Sequence, residues 1–423
     1  MLRKGIAISC LPKTFRDAIS VASFLGAKFL WIDSLCIMQD SLDDWQEEAS
    51  RMADVYRGSL CNIAASASAE ARAGCLYERK SQIKPHPCII RDAWGRQKND
   101  ILLYNDNYWD RMFDNDPLRQ RAWVVQELLL SRRILHMGRS QISWECYESN
   151  ACEEYPGGIP SFMENVMRKT SLEEMSLVPS KPSIHWKVTW TGVVYKYTSC
   201  CLTKPEDKLV ALSGIAKIWQ AASQDEYIAG LWRKGLATQL LWKAWDQDSP
   251  IFPTRDYRAP SWSWASVDGK IYIPTEVDAE GIQISIIDVT VQAVSADPTG
   301  MLAGGSIRLS GPLTTLEVWP NSANGDPWHC QFKNQKTQRI YLGCSSLECA
   351  QNLHCLMVQR PTLSSSLCRC LILKPTGKQK GQFRRWGYLQ LDEIDEKCFE
   401  EKCHDWLEYE EFDGARNYTI TII

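Results

Sequence analysis

The 423-residue sequence predicts an α/β protein: a mostly parallel sheet first, then a helical region, then an antiparallel β domain. Three observations carry that expectation. Over residues 1–150, short apolar runs alternate with segments of helical period, as in strands joined by crossover helices. From Trp186 to Trp245 the spacing is mostly helical, with Leu209, Leu212, Ile215 and Ala216 on one face. After Pro260, short β-rich runs are separated by turn residues. The expected boundaries are 1–150, 151–259 and 260–423, with the Pro/Gly-rich stretch 153–183 as a connection.

In order, Thr14 and Asp17 make a capping-box-like start to a helix carrying Phe15, Ala18, Ile19, Ala22 and Leu25, and Gly26 stops it. Lys28–Ile32 (KFLWI) reads as a buried strand ending at Asp33. Ser41 and Asp44 cap a second helix with an inner stripe of Trp45, Ala49, Met52, Ala53 and Tyr56, closed by Gly58. Leu60–Ala65 and Ile101–Tyr104 are strand candidates and Trp123–Leu130 a helix, while Ile134–Met137 and Gln141–Cys146 flank a Gly138-Arg139-Ser140 turn. Later strands are expected at Ile282–Val291, Ile307–Leu309, Ile340–Leu342, Leu356–Val358, Cys370–Leu373, Tyr388–Leu391 and Tyr418–Ile423.

Composition narrows the function classes. With 48 basic and 51 acidic side chains the net charge is −3, which gives no general attraction to nucleic acid or an anionic membrane. No run approaches the ~20 apolar residues of a membrane span, and Gly5–Leu11 is too short for a cleavable signal. Seventeen cysteines, odd in number and irregular in spacing, fit free thiols in a reducing cytoplasm. Cys398, Cys403 and His404 lie close together, with His329-Cys330 and His354-Cys355 upstream, but the paired arms of a zinc module are lacking, so no metal is expected. The 18 Trp outnumber the 15 Tyr and the 10 Phe, a usage that suits surfaces joining an apolar body to a polar partner.

Three blocks say more than periodicity: FLWIDSLCIMQD from Phe29 with its sequel DWQEEASRMADVY, RAWVVQELLLSRRIL from Arg121, and PSWSWASV from Pro260. Together they resemble the fungal heterokaryon-incompatibility (HET) domain, whose members show a Trp-Ile-Asp-x-Leu-Cys-Ile-x-Gln strand and an Arg-Gly-Trp-x-x-Gln-Glu block. Leu11–Ala18, Leu202-Thr203, Asp207–Leu209 and Tyr227–Trp232 extend the resemblance over most of the chain. Ala122 stands where the family has Gly, and only ten residues precede Leu11, where the family's opening strand block belongs. Its absence is expected to leave neighbouring strands with unpaired edges.

The resemblance implies a flavodoxin/TIR-like sheet and a role in non-self recognition and programmed cell death, with NAD hydrolysis as the candidate activity and NAD as candidate substrate. TIR enzymes carry a Trp four residues before a catalytic Glu, and Trp123 and Glu127 match that spacing. Residues four apart share a helix face, so the indole can cover the carboxylate and raise its pKa. Arg121 is then a phosphate or ribose contact, and Asp33 lines the crevice. The alternative is an amphipathic helix in which Glu127 is solvated or paired with an arginine. Glu48, three residues after Trp45, is the second candidate carboxylate with Trp45 beside it, or else a salt-bridge partner of Arg51 or Arg57. The Ser261–Trp264 block reads as core more readily than as a stacking platform, and Cys36 as a buried thiol rather than a nucleophile. Beside the enzyme stand two other readings: a non-enzymatic module that self-associates or binds an incompatibility partner protein, and an inert truncated remnant.

Overall fold

A computed structural model describes residues 5–79, 88–90, 101–103, 108–163, 189–245, 252–253, 256–275, 279–320, 328–332, 335–336, 339–342, 351–363, 365–391, 399 and 406–423. The chain forms two units, residues 1–178 with 200–202, and residues 179–199 with 203–423.

The first unit opens with helix α1, Lys13–Phe24. Thr14 and Asp17 do not cap it, because its N-cap is Pro12, which offers no side-chain acceptor. They hold the 74–76 turn instead. The Thr14 hydroxyl accepts from the Gly74 N–H at 3.1 Å, and the Asp17 carboxylate accepts from Cys75 and Leu76 at 2.8 and 3.2 Å while pairing with Lys13 at 2.8 Å. Burial pushes the Asp17 carboxyl up, but Lys13 and the two N–H groups outweigh it and hold the group below its ordinary value. A depressed carboxylate stabilises the fold fully above its unfolded pKa and loses that contribution as pH falls through the folded value. Asp17→Ala is therefore expected to cost about 1–3 kcal/mol at pH 7 in urea unfolding, with the gap to wild type closing as pH falls through the depressed value of the carboxyl.

Lys28–Ile32 is not a strand. Its backbone makes no ladder, the Ile32 carbonyl accepts from Leu35 and Cys36, and Asp33 opens a one-turn helix, Asp33–Cys36. No strand pairs with the run among the described residues, and without a partner an extended apolar segment has no sheet to join. Helix α2, Leu42–Gly58, starts where expected: the Ser41 hydroxyl accepts from the Asp44 N–H at 3.2 Å. Strand β1, Asn62–Ala64, follows, then helix α3, Ala122–Leu130, and strands β2, Arg133–Met137, β3, Ile142–Cys146, and β4, Asn150–Cys152. They form one sheet in the order β1-β2-β3-β4. The β1–β2 pairing is parallel, with Ile63 opposite Leu135, whereas β2–β3 and β3–β4 are antiparallel. The sheet is thus mixed, not mostly parallel as the sequence suggests, because the tight connection at Gly138 folds β3 straight back on β2. Ala64, Val124, Leu128 and Ile134 form the core between β1, β2 and α3. Ile101–Leu103 pairs with Cys88–Ile90 as a separate hairpin.

The second unit contains helices α4, Trp190–Thr198, and α5, Val210–Ser223, and then strands. The principal strands are β5, Ser285–Ala293; β6, Leu302–Pro320; β7, Gln351–Gln359; β8, Cys368–Pro375; β9, Gln382–Leu391; and β10, Asn417–Ile422. Strand β6 pairs with β10 along Ile307–Pro312 and with β7 along Leu313–Val318. Since β7–β8 and β8–β9 are antiparallel and β9 meets β10 at Phe383–Ile422, the pairings close into a circuit. Leu316, Val318, Cys355, Met357, Cys370, Ile372 and Leu389 recur at period two and form one core cluster.

Between helices and sheet lies the tryptophan-rich core. A two-residue hairpin turn at Ala229 (φ 49°) and Gly230 (φ 92°) joins Tyr227–Ile228 to Leu231–Trp232. The Gly230 carbonyl accepts from the indole N–H of Trp190 at 2.9 Å and of Trp264 at 2.8 Å. A Cβ at Gly230 would stand 2.8 Å from Trp264 Nε1, so the turn needs glycine for both φ and space. Trp262 and Trp264 are fully buried, in a turn and a short 3-10 helix and not in a strand. They are core, as expected.

Candidate functional site

A cavity of about 760 Å³ opens in the first unit, a size ordinary for small-ligand sites. Its walls come from α1 (Phe15, Ala18, Ala22 and Leu25), from Ala27–Asp33, from the end of α2 (Asp54, Val55 and Tyr56), and from β1 (Asn62 and Ile63). Arg121 and Glu127 complete it.

Helix α3 explains how an acid arrives there. Ala122, Val124, Val125, Gln126, Leu128, Leu129 and Leu130 are all buried, so the helix is packed on most sides. Glu127 is half-buried and is the one α3 residue on the cavity wall. Arg121, the N-cap residue, is exposed and reaches the same wall. Tyr56 ends the inner stripe of α2, packs edge-on against Trp31 at 5.9 Å between ring centroids, and donates its hydroxyl to the Glu127 carboxylate.

Burial pushes the Glu127 carboxyl up to about 7. The Asp33 carboxylate adds to that push, while the Tyr56 hydroxyl and the Arg121 guanidinium hold it back. Burial and the charge of Glu127 push the Tyr56 phenol far above its ordinary range, so it stays protonated and serves as a donor. One wall therefore carries a carboxyl group poised near neutrality, a second carboxylate, a cation and a fixed phenol. That set suits charge stabilisation at an electron-poor carbon and proton transfer near pH 7.

Of the residues singled out in the sequence, Asp33, Arg121 and Glu127 meet at this cavity. Glu48, Trp45 and Trp123 are not among its lining residues. Trp45 and Trp123 pack edge-on against each other at 6.4 Å, and Glu48 lies 3.8 Å from Arg51 in an i,i+3 ion pair. Tyr56, which the sequence places on the apolar stripe of α2, is the further polar residue on this wall, bonded to Glu127. Its signal was a hydroxyl at the end of an otherwise apolar stripe. A second polar cluster also escaped notice. Ser66 Oγ sits 3.3 Å from His136 Nδ1, and His136 Nε2 sits 3.1 Å from Glu145. All three are almost wholly buried, which closes them to a substrate and makes them a structural network.

Eleven cysteines among the described residues are free, Cys36 among the exposed ones, and no His/Cys/Asp/Glu group among the described residues has the makings of a metal site. Cys398, Cys403 and His404 lie outside the described residues. Among the described residues no helix is long and apolar enough to cross a membrane. Residues 2–127 match the family model described as heterokaryon incompatibility protein (HET). No curated protein and no solved structure matches the chain.

Proposed function

We infer, starting from a chain that carries a HET domain over residues 2–127, that the protein acts in fungal non-self recognition and programmed cell death by cleaving NAD in a TIR-like manner. The observation that carries this reading is Glu127, a carboxyl group with a pKa near 7 on the wall of a ligand-sized cavity beside Asp33 and Arg121. In the reaction, the bond between the nicotinamide nitrogen and ribose C1′ breaks and its electron pair leaves with nicotinamide. The ionised Glu127 stabilises the oxocarbenium-like carbon, as carboxylates do in glycoside hydrolysis. Water then adds to C1′ and gives up a proton, leaving ADP-ribose. Tyr56 fixes the carboxylate, and Arg121 holds a phosphate or ribose oxygen.

The test is nicotinamide release from NAD by the full-length chain. Wild type is expected to release it, and Glu127→Gln to do so at least about 100-fold more slowly. Equal rates would remove Glu127 from the mechanism. A second reading, a non-enzymatic module that self-associates or binds an incompatibility partner, is favoured by Leu25, Phe29 and Leu60, exposed apolar residues on the cavity lining. Cell death that persists when Glu127→Gln is expressed in a fungal host selects it, and death that tracks NAD loss rejects it.

A further inference from the structure

Strand β9 carries a bulge. Ile372 of β8 faces Gly387 and Leu373 faces Arg385, so Trp386 is the extra residue. A bulge re-aims side chains that strict alternation would send to opposite faces. Here Arg384, Arg385 and Trp386 all line one cavity of about 600 Å³, built entirely from the second unit. Trp242, Tyr257 and Ser261 contribute other walls.

Arg385 is only 7% exposed. Its guanidinium lies 3.5 Å from the Trp242 ring centroid, Nε donates to the Leu240 carbonyl at 3.3 Å, and Nη2 donates to the Trp242 carbonyl. Nη1 has no hydrogen-bond partner among the described residues. Burial pushes the guanidinium down to about 9 with no acidic group opposing it, and at neutral pH it remains charged. A buried cation that meets carbonyl dipoles and a ring but no anion is costly, and an incoming anion relieves that cost. Arg258, on the same cavity, differs: Asp268 pairs with it at 2.9 Å, and three carbonyls take its other donors. Asp256 also lines the cavity but makes no ion pair among the described residues. Arg384 is exposed, close enough to Tyr257 to oppose the rise that burial gives its phenol. The Trp386 indole N–H is buried without an acceptor.

We propose that this cavity binds a small organic anion, a carboxylate or phosphate monoester on a flat apolar body, its charged head held by Arg385 Nη1 and the Arg384 guanidinium. Both acids present paired anionic oxygens that a guanidinium recognises, and Tyr257 on the cavity wall supplies a face for the body. This site does not depend on the reading of Glu127, since its residues and its ligand are different.

The experiment titrates the full-length chain with benzoate and with phenyl phosphate at constant ionic strength. Three signals are followed: calorimetric binding, the unfolding midpoint, and phenylglyoxal modification of Arg384 by mass spectrometry. Saturable binding by at least one probe is expected, with a raised midpoint and Arg384 protected; whichever probe binds tighter identifies the head group. Arg384→Ala, at an exposed position, is expected to weaken binding about 10-fold, and Arg385→Lys to weaken it by at least as much through loss of the fork. If Arg385→Lys fails to fold, the Arg384 footprint in wild type and the Arg384→Ala affinity still decide the matter. No protection by either probe, or wild-type affinity in Arg384→Ala, overturns the proposal.

Discussion

Glu127→Gln is expected to unfold at a higher temperature than wild type at pH 8, and no higher at pH 4.5. The ordinary value of 4.5 for the group rises to about 7 in the fold, chiefly through burial. Over that interval the native state binds more proton than the unfolded chain, so wild-type stability falls as pH rises. The amide carries no charge and escapes the loss. The full shift is discounted because the carboxyl lies on a water-accessible cavity wall, leaving about 1–3 kcal/mol of advantage for the variant at pH 8. Tyr56→Phe moves the balance the other way, by removing the donor that favours the ionised form. Thermal unfolding of the three proteins at the two pH values is the measurement. A Glu127→Gln advantage equal at both would show that the carboxyl titrates normally, whatever its effect on NAD.

Trp264→Ala is expected to lose about 3–5 kcal/mol, and Trp264→Phe about 1–2. The indole is fully buried, meets Tyr197 edge-on at 6.2 Å, and donates to the Gly230 carbonyl. Alanine forfeits the packing and opens a cavity under the hairpin turn. Phenylalanine keeps most of the ring volume, and the Trp190 indole still donates to the same carbonyl, so no acceptor is orphaned. Urea unfolding followed by tryptophan fluorescence measures both losses. An alanine loss below about 1 kcal/mol would mean that the turn collapses onto the gap without penalty.

Local chemistry with a short reach was legible in the sequence. Ser41 before α2, the Gly138 connection and the period-two apolar runs after Pro260 all act through neighbours a few residues away, and each appears where expected. Long-range pairing was not legible. Lys28–Ile32 has the composition of a buried strand, but composition does not supply the partner strand, and the run stays outside every sheet. The expected strand Ile307–Leu309 is only the middle of β6, which runs on through Gly304, Gly305, Gly311 and Pro312. They are tolerated because neighbours press close: a Cβ at Gly311 would meet Ile284 at 2.7 Å, and one at Gly305 would meet Pro260 at 2.7 Å. At the cavity, spacing and resemblance found Asp33, Arg121 and Glu127. They missed Tyr56 because an aromatic residue on an apolar stripe looks the same whether its hydroxyl meets water or a carboxylate. Arg384 and Arg385 are neighbours in a strand, where alternation sends side chains to opposite faces, and beside the bulge at Trp386 both line one cavity.

The closed circuit β6-β7-β8-β9-β10 has a cost that falls in time, not in stability. Its last seam joins Leu309 to Ile420, roughly 110 residues apart, and local pairing cannot substitute for it. The chain must hold three adjacent antiparallel seams open-ended until β10 arrives, and until then β6 and β9 each present an edge to other chains. Refolding of the second unit is accordingly expected to be slow and to lose yield as protein concentration rises, which stopped-flow refolding over a concentration series would show.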